Sequence, residues 1–137
     1  MLSLLLGLTA VGCSSTHPSG PASLCTQLAA QTDLHVTLMF GLSRPDGSLI
    51  SDAAWQDFLG KEITPRFPDG LSVLPAQGFW RDRQTGKTGS ESSRLVWIAT
   101  PDRPDLAGRI EAVRRAYRAR FSQQSVGVSL QRGCTAF

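Results

Sequence analysis

Leu34, Val36, Leu38 and Phe40 alternate with His35, Thr37 and Met39, the period-two pattern of a half-buried strand. Residues 41–50 contain Arg44-Pro45-Asp46-Gly47, a turn signature. Ser51 is placed to cap a helix, and Asp52 suits the positive end of its dipole. Trp55, Phe58, Leu59 and Glu62 then recur at helical spacing on one face. The Thr64-Pro65 step predicts the end of that helix, because a residue before proline avoids the α region. Leu71 to about Trp80 reads as a second strand interrupted by Pro75, which confines it to a sheet edge or a bulge. Residues 81–93 (RDRQTGKTGSESS) read as a polar loop, and Arg94 to Thr100 (RLVWIAT) as a strand buried on both faces. Asp102 or Pro104 opens the longest helix, whose apolar stripe is Leu106, Ile110, Val113, Tyr117 and Phe121. Val126, Val128 and Leu130 form a last alternating strand.

The resulting order, β-α-β-β-α-β, is the split βαβ of ferredoxin-like folds. It predicts an α+β domain with a four-stranded antiparallel sheet ordered 4-1-3-2 and two helices on one face. Strands two and four are edges in that order, which suits Pro75. Cys25 precedes strand one and Cys134 follows strand four. Those strands are antiparallel neighbours, so the two cysteines arrive at one end of the sheet. A disulfide there would close nearly the whole domain and stabilise it by about 4–5 kcal/mol on the chain-entropy account. The sheet face opposite the helices carries His35, Thr37 and Met39, and strand three is apolar on both sides, Leu95 and Trp97 against Val96 and Ile98. Such a face calls for cover. The expected cover is a second subunit, sheet against sheet, as in dimeric α+β barrels, which can enclose a pocket. The alternative is a C-terminal tail or N-terminal tether lying across it.

With 137 residues, 41% hydrophobic and 18% charged, the chain has material for one domain and is too apolar to be disordered. Thirteen glycines and eight prolines do not make a collagen or a linker. The run Leu2 to Val11 is too short to span a bilayer as a helix. Residues 1–12, uncharged and ending in small side chains, read instead as the apolar region of an export signal. No Lys or Arg precedes the run, a departure from the usual pattern. Ala10-Val11-Gly12-Cys13 resembles a bacterial lipobox. In proteins with that motif the Cys thiol takes a diacylglycerol and becomes the mature N-terminus, which makes Cys13 the lipidation site and the membrane a partner through the N-terminal lipid. Residues 13–32 are then a lipid-anchored tether and lead-in, and residues 33–137 a single domain. A buried N-terminal helix is the competing reading, and the Pro/Gly-rich stretch 14–23 argues against it. Ser14, rather than Asp, is similar to the pattern of lipoproteins sent to the outer membrane, so the expected location is the bacterial cell envelope, facing the periplasm. Setting Cys13 aside leaves Cys25 and Cys134, an even pair suited to an oxidising compartment.

Phe40-Gly41, Ser51-Asp52-x-x-Trp55-x-x-Phe58, the string ITPRFPDGL from Ile63 to Leu71, Gly78-x-Trp80-Arg81 and Glu91 resemble a bacterial domain-of-unknown-function family of small exported proteins and lipoproteins. The resemblance covers about residues 33–131 and implies a ferredoxin-like fold and an envelope compartment, with no reaction attached. In the residues themselves, Pro65 and Pro68 stiffen the loop after helix one, and Gly70 permits a tight turn into strand two. Arg66 is presented on that frame with Glu62 four residues earlier, while Trp80, Arg81 and Glu91 flank the following hairpin. A fixed Arg beside a Trp and carboxylates would hold an anionic or planar ligand. The plainer reading is an Arg–Glu bridge bracing a loop over a Trp. Trp55, Glu62, Arg66, Trp80, Arg81 and Glu91 are thus the candidate ligand or partner surface.

Other signals fail. Gly86-Lys87-Thr88 lacks the first glycine of a phosphate-binding loop, since Arg81 stands there. His35 has no second histidine but His17, in the tether. Metal-ligand spacing and a Ser/His/Asp pattern are absent, and no cofactor is called for. Arg103, Arg109, Arg114, Arg115, Arg118 and Arg120 make helix two basic, a solvated face in an Arg-rich chain or a contact for anionic lipid. Export argues against nucleic acid. The expected function is therefore that of a lipid-anchored binding module for an envelope protein or anionic ligand. The alternatives are a small-molecule enzyme of the dimeric barrel type and a purely structural envelope component.

Overall fold

The computed structural model describes residues 21–137; the run read as an export signal, Cys13 and the first part of the stretch read as a tether lie outside the described residues. The elements are α1 (Pro21–Gln27), β1 (Gln31–Gly41), α2 (Asp52–Phe58), β2 (Ser72–Arg81), β3 (Thr88–Thr100), α3 (Leu106–Phe121) and β4 (Gly127–Thr135). The sheet runs β2-β3-β1-β4 with every pairing antiparallel, the ferredoxin-like order expected from the pattern. Pro75 lies in edge strand β2 opposite Arg94, the kind of strand to which a proline is confined. The short helix α1 falls in the stretch read as lead-in, and β1 opens at Gln31, two residues before Asp33.

One face of the sheet is covered by α2 and α3. Val36, Leu38 and Phe40 of β1 and Val96 and Ile98 of β3 point into that layer, where they meet Trp55, Phe58, Ile110, Val113, Tyr117 and Phe121. Phe40 packs edge-on to Tyr117 at 4.7 Å and to Trp55 at 5.2 Å between ring centroids, a favoured aromatic geometry. The stripe read for the longest helix is the buried stripe of α3.

Ser51 caps α2, its side chain accepting the Ala54 N–H at 3.2 Å. The helix does not stop at Thr64-Pro65. It continues through a π turn, Leu59–Ile63, and a 3-10 turn, Thr64–Arg66. Pro65 enters the first turn of that 3-10 segment, where an N–H has no intrahelical acceptor to lose. The π turn advances the chain by one residue, so the buried position goes to Ile63 and Glu62 stays partly exposed.

The polar stretch 81–93 is mostly strand. β3 starts at Thr88 and pairs with β2 out to Arg81, leaving a turn over residues 82–87. That turn closes on Asp82, whose Oδ1 accepts the Gln84 and Thr85 N–H groups at 2.9 and 2.6 Å. The Thr85 hydrogen bond comes first among the causes that hold the Asp82 carboxyl below the usual carboxylate range. Gly86, at φ +70°, supplies the left-handed residue. This end of the hairpin reaches beyond the apolar core, so Thr88 to Ser92 carry no hydrophobic alternation. Further along β3, Leu95 and Trp97 are only partly buried while Val96 and Ile98 are fully buried. The strand is therefore covered on one side only within the described residues.

Cys25 in α1 and Cys134 in β4 form a disulfide, Cα to Cα 5.9 Å. The antiparallel β1–β4 register, with Thr32 opposite Cys134, brings the lead-in and the last strand to one end of the sheet.

Candidate functional site

The face without helices is set by the strand register. Thr37 and Met39 of β1, Ser72 and Leu74 of β2, Leu95, Trp97 and Ala99 of β3 and Ser129 of β4 share it. At its centre is a hollow of about 420 Å³ lined by Thr37, Ser72, Leu74, Leu95 and Trp97. A smaller hollow of about 210 Å³ adjoins it, reaching from Trp97 and Ala99 to Asp69, Leu71 and Phe137. Two glycines keep the β4 side flat. The imidazole of His35 occupies the place a Cβ at Gly133 would take, 2.6 Å from it, and Met39 packs on Gly127. His35 Nε2 is hydrogen-bonded to Thr135 Oγ1 at 2.9 Å and its ring lies 5.4 Å from Trp97. That geometry gives His35 a supporting place beside the hollow.

Charge is distributed unevenly between the two faces. The basic residues of the strands, Arg81, Arg94 and Arg132, all fall on the helix-bearing side by register. Of the charged strand residues, Asp33 near one end and Glu91 near the other fall on the helix-free side, and Asp69 borders the smaller hollow.

The residues singled out from the sequence are not one surface. Trp55 is core, 1% exposed, among Phe40, Phe58 and Tyr117. Arg66 pairs with Glu62 one turn earlier at 3.0 Å and also donates to the Glu62 carbonyl. Arg109 from α3 donates to the Arg66 carbonyl at 2.9 Å, with its guanidinium over the Phe67 ring at 5.5 Å. Arg109 Nε lies 3.2 Å from Asp105 Oδ2 but is not aligned to hydrogen-bond it. Arg66 thus braces the segment between α2 and β2. Trp80 and Glu91 sit at the other end of β2, because Ser72 to Trp80 spans about 26 Å at 3.3 Å per residue. Arg81 turns to the opposite face from Trp80, and its Nε donates to the Gly86 carbonyl at 3.2 Å, closing the hairpin turn. The Arg66–Trp80–Glu91 arrangement expected from chain proximity is not formed. What the sequence did signal, an apolar second side on strand three, is the wall of the hollow. Leu74 and Ser72 were hidden behind Pro75.

Arg66→Ala is expected to lower stability by about 1 kcal/mol or less, since a partly exposed i,i+4 pair contributes little. Urea denaturation reads this directly, and a loss several times larger would show that the Arg66 brace governs the whole loop.

The basic helix is largely engaged within the chain. Arg114 and Arg118 both pair with Glu111, at 2.8 and 3.1 Å, and Arg120 pairs with Asp57 at 2.8 Å. Arg114 Nε also donates to the Val126 carbonyl at 3.0 Å. Of the arginines on and before this helix, Arg103 and Arg115 stand outside these pairs. No helix among the described residues is long and apolar enough to cross a membrane.

A four-stranded sheet in this order, helices on one side and an apolar hollow on the other, defines a ferredoxin-like α+β domain with an open sheet face. The chain belongs to the DUF3574 family of proteins of unknown function, whose family model matches residues 35–137. No curated protein matches it in sequence. Among solved structures it is similar to a phage SAM lyase in complex with S-methyl-5'-thioadenosine, at a TM-score of 0.61 and 17% identity, over 77% of this chain and 90% of that one. The same lyase in its apo state aligns at a TM-score of 0.56 and 20% identity, over 76% and 85% of the two chains. CutA from Synechococcus elongatus aligns at a TM-score of 0.47 and 12% identity, over 77% and 80%. At these identities the likeness to the lyase is one of fold.

Proposed function

We propose that this is a lipid-anchored bacterial envelope protein whose folded part is a binding module, and that the module self-associates through the helix-free sheet face. The observation that carries the reading is the apolar hollow around Trp97. The occupant we assign to the face is a second copy of the chain. The chain carries 14 basic residues and a formal charge of +3, yet none of its strand arginines lies on this face. Two such faces can therefore meet without apposing basic side chains, and interface cores are depleted in charge. The uncharged run before Cys13 and the lipobox-like Ala10-Val11-Gly12-Cys13 support the anchor, facing the periplasm from the outer membrane. The Cys25–Cys134 bridge is consistent with that oxidising compartment.

Sedimentation of the full chain in density-matched detergent tests the pairing. The wild type is expected as two copies, and Trp97→Asp as one copy with an unchanged circular dichroism spectrum, because a carboxylate in a paired face is desolvated without a partner. A wild type that sediments as one copy, or a variant that pairs as before, would overturn the assignment.

A second reading, a small-molecule enzyme of the dimeric α+β barrel type, draws on the size of the hollow. About 420 Å³ falls within the range of small-molecule pockets, and a phage lyase of this fold holds S-methyl-5'-thioadenosine. Saturable stabilisation of the wild type by that nucleoside, lost in Trp97→Asp, would favour it. A purely structural envelope component would show neither the pairing nor the ligand.

A further inference from the structure

We propose a second, separate site at the hairpin end of the helix-free face, where Trp80 and Glu91 bind a small organic monocation of the alkylammonium class. Three observations converge there. The first is shape. Glu91 lies opposite Gly78 in the β2–β3 ladder, and Trp80 follows Gly78 by two residues on the same face. The indole lies back over Gly78, with Nε1 2.4 Å from where a Cβ would be, and the carboxylate lies over Gly41, with Oε1 2.4 Å from its Cβ position. Missing side chains on β1 and β2 thus let a carboxylate and a ring lie close to the sheet on either side of β3.

The second is charge. Glu62 and Glu111 pair with arginines, whereas Glu91 forms no ion pair with a described Lys or Arg. One of its oxygens, Oε2, accepts the Ser43 N–H at 2.8 Å, and a carboxylate has capacity for several more donors. Arg81 is turned to the other face, Arg66 is about a strand length away, and Arg94 is held by Asp52 on the helix-bearing side at 3.0 Å. Arg44, felt with Arg94 at the neighbouring Tyr117 hydroxyl, keeps its guanidinium on the Leu49 carbonyl and over the Phe121 ring, so no guanidinium pairs with Glu91, and the anionic ligand expected when Arg66 was placed beside Trp80 is disfavoured.

The third is the indole. Trp80 is only partly buried: its N–H edge is turned in over Gly78, and part of the ring remains accessible. Tryptophan offers the strongest aromatic surface for a cation, and the Glu91 carboxylate, across β3 from the ring, supplies the counter-charge. A hard metal ion needs six or more oxygen ligands. Among the described residues no cluster of three metal-ligating side chains occurs, so an organic cation with apolar substituents fits better.

The test is a titration of the ¹⁵N-labelled full chain in detergent with choline chloride, against sodium chloride at matched ionic strength. The readout is the indole N–H resonance of Trp80, assigned by its loss in Trp80→Phe. The expected result is a saturable, choline-specific shift. Glu91→Gln keeps an oxygen for the Ser43 N–H and removes the charge, and is expected to weaken binding about tenfold or more at an unchanged melting temperature. Should Glu91→Gln melt early, Trp80→Leu on the edge strand gives the same comparison, with the Gly41 and Gly78 backbone resonances reporting the site. No saturable shift in the wild type, or equal affinity in both variants, would overturn the proposal. Because the Trp97 pairing test reads mass and this one reads a Trp80 resonance, failure of either leaves the other standing.

Discussion

Replacing Cys25 and Cys134 together by serine is expected to lower the stability of the domain by about 4–5 kcal/mol, the chain-entropy value for a loop of about a hundred residues. The two cysteines are 109 residues apart, so the bridge restrains almost the whole unfolded chain. The folded side of the balance points the same way. Leu24 and Leu28 of the α1 segment are 56% and 66% exposed, so α1 has little apolar burial of its own to hold it on the sheet. Without the bridge the segment before β1 should open first, as poorly packed ends do. Calorimetry of the double variant, and of the wild type with and without reductant, would read the change. A fall in melting temperature of about 15 °C or more is expected for a domain of this size. A fall of only a few degrees would mean that the unfolded chain is already restrained without the disulfide. Limited proteolysis should cut between α1 and β1 in the reduced protein and not in the oxidised one.

Trp55→Ala carries the second large effect, a loss of about 3–5 kcal/mol, as for other large aromatic residues removed from a core. The ring is 1% exposed and sits between Phe40, Phe58 and Tyr117 at 5.2, 6.4 and 6.2 Å. Those neighbours are themselves tied down. Phe40 is a central-strand residue, and the Tyr117 hydroxyl donates to the Gly41 carbonyl at 2.7 Å. Burial, and then the nearby Glu91 charge, push the Tyr117 phenol well above its ordinary pKa, so it remains a neutral donor throughout the working range of the fold. The gap left by Trp55 has few ways to collapse. Urea denaturation checks the magnitude, and a loss below about 1 kcal/mol would place the ring outside the packed core.

Where one face of an element is buried and the other is wet, the chain announces it. β1 and α3 are legible from Leu34 to Phe40 and from Leu106 to Phe121 because their apolar residues repeat at two and at three to four. Pro75 marked an edge strand correctly for the same kind of reason, one backbone group at a time. The start of β3 was illegible because Thr88 to Ser92 pair with β2 through backbone alone, with no core beneath them. The end of the helix after α2 was misplaced because Pro65 blocks an α-helical hydrogen bond but not entry into a 3-10 turn. Glu62 appeared on the apolar face because the reading assumed 3.6 residues per turn through a segment that is π.

The candidate site shows the same division. Arg66, Trp80 and Glu91 look close on the chain, yet a ten-residue strand separates the first from the other two. Their segregation leaves Trp80 and Glu91 without the guanidinium that an anionic ligand would need.

By itself the amino-acid order determined the sequence of strands and helices, the split βαβ topology that this order permits, and the meeting of Cys25 with Cys134. These follow from neighbours a few residues apart and from short, antiparallel connections. Only the tertiary structure decided that Trp97 and Leu74 share a hollow, that Trp55 is core, and that Glu91 lies over Gly41 and forms no ion pair with a described arginine. The physical reason is register: which side chains oppose each other across β2, β3 and β1 depends on pairings between distant residues, and a shift of one position would send every side chain to the other face.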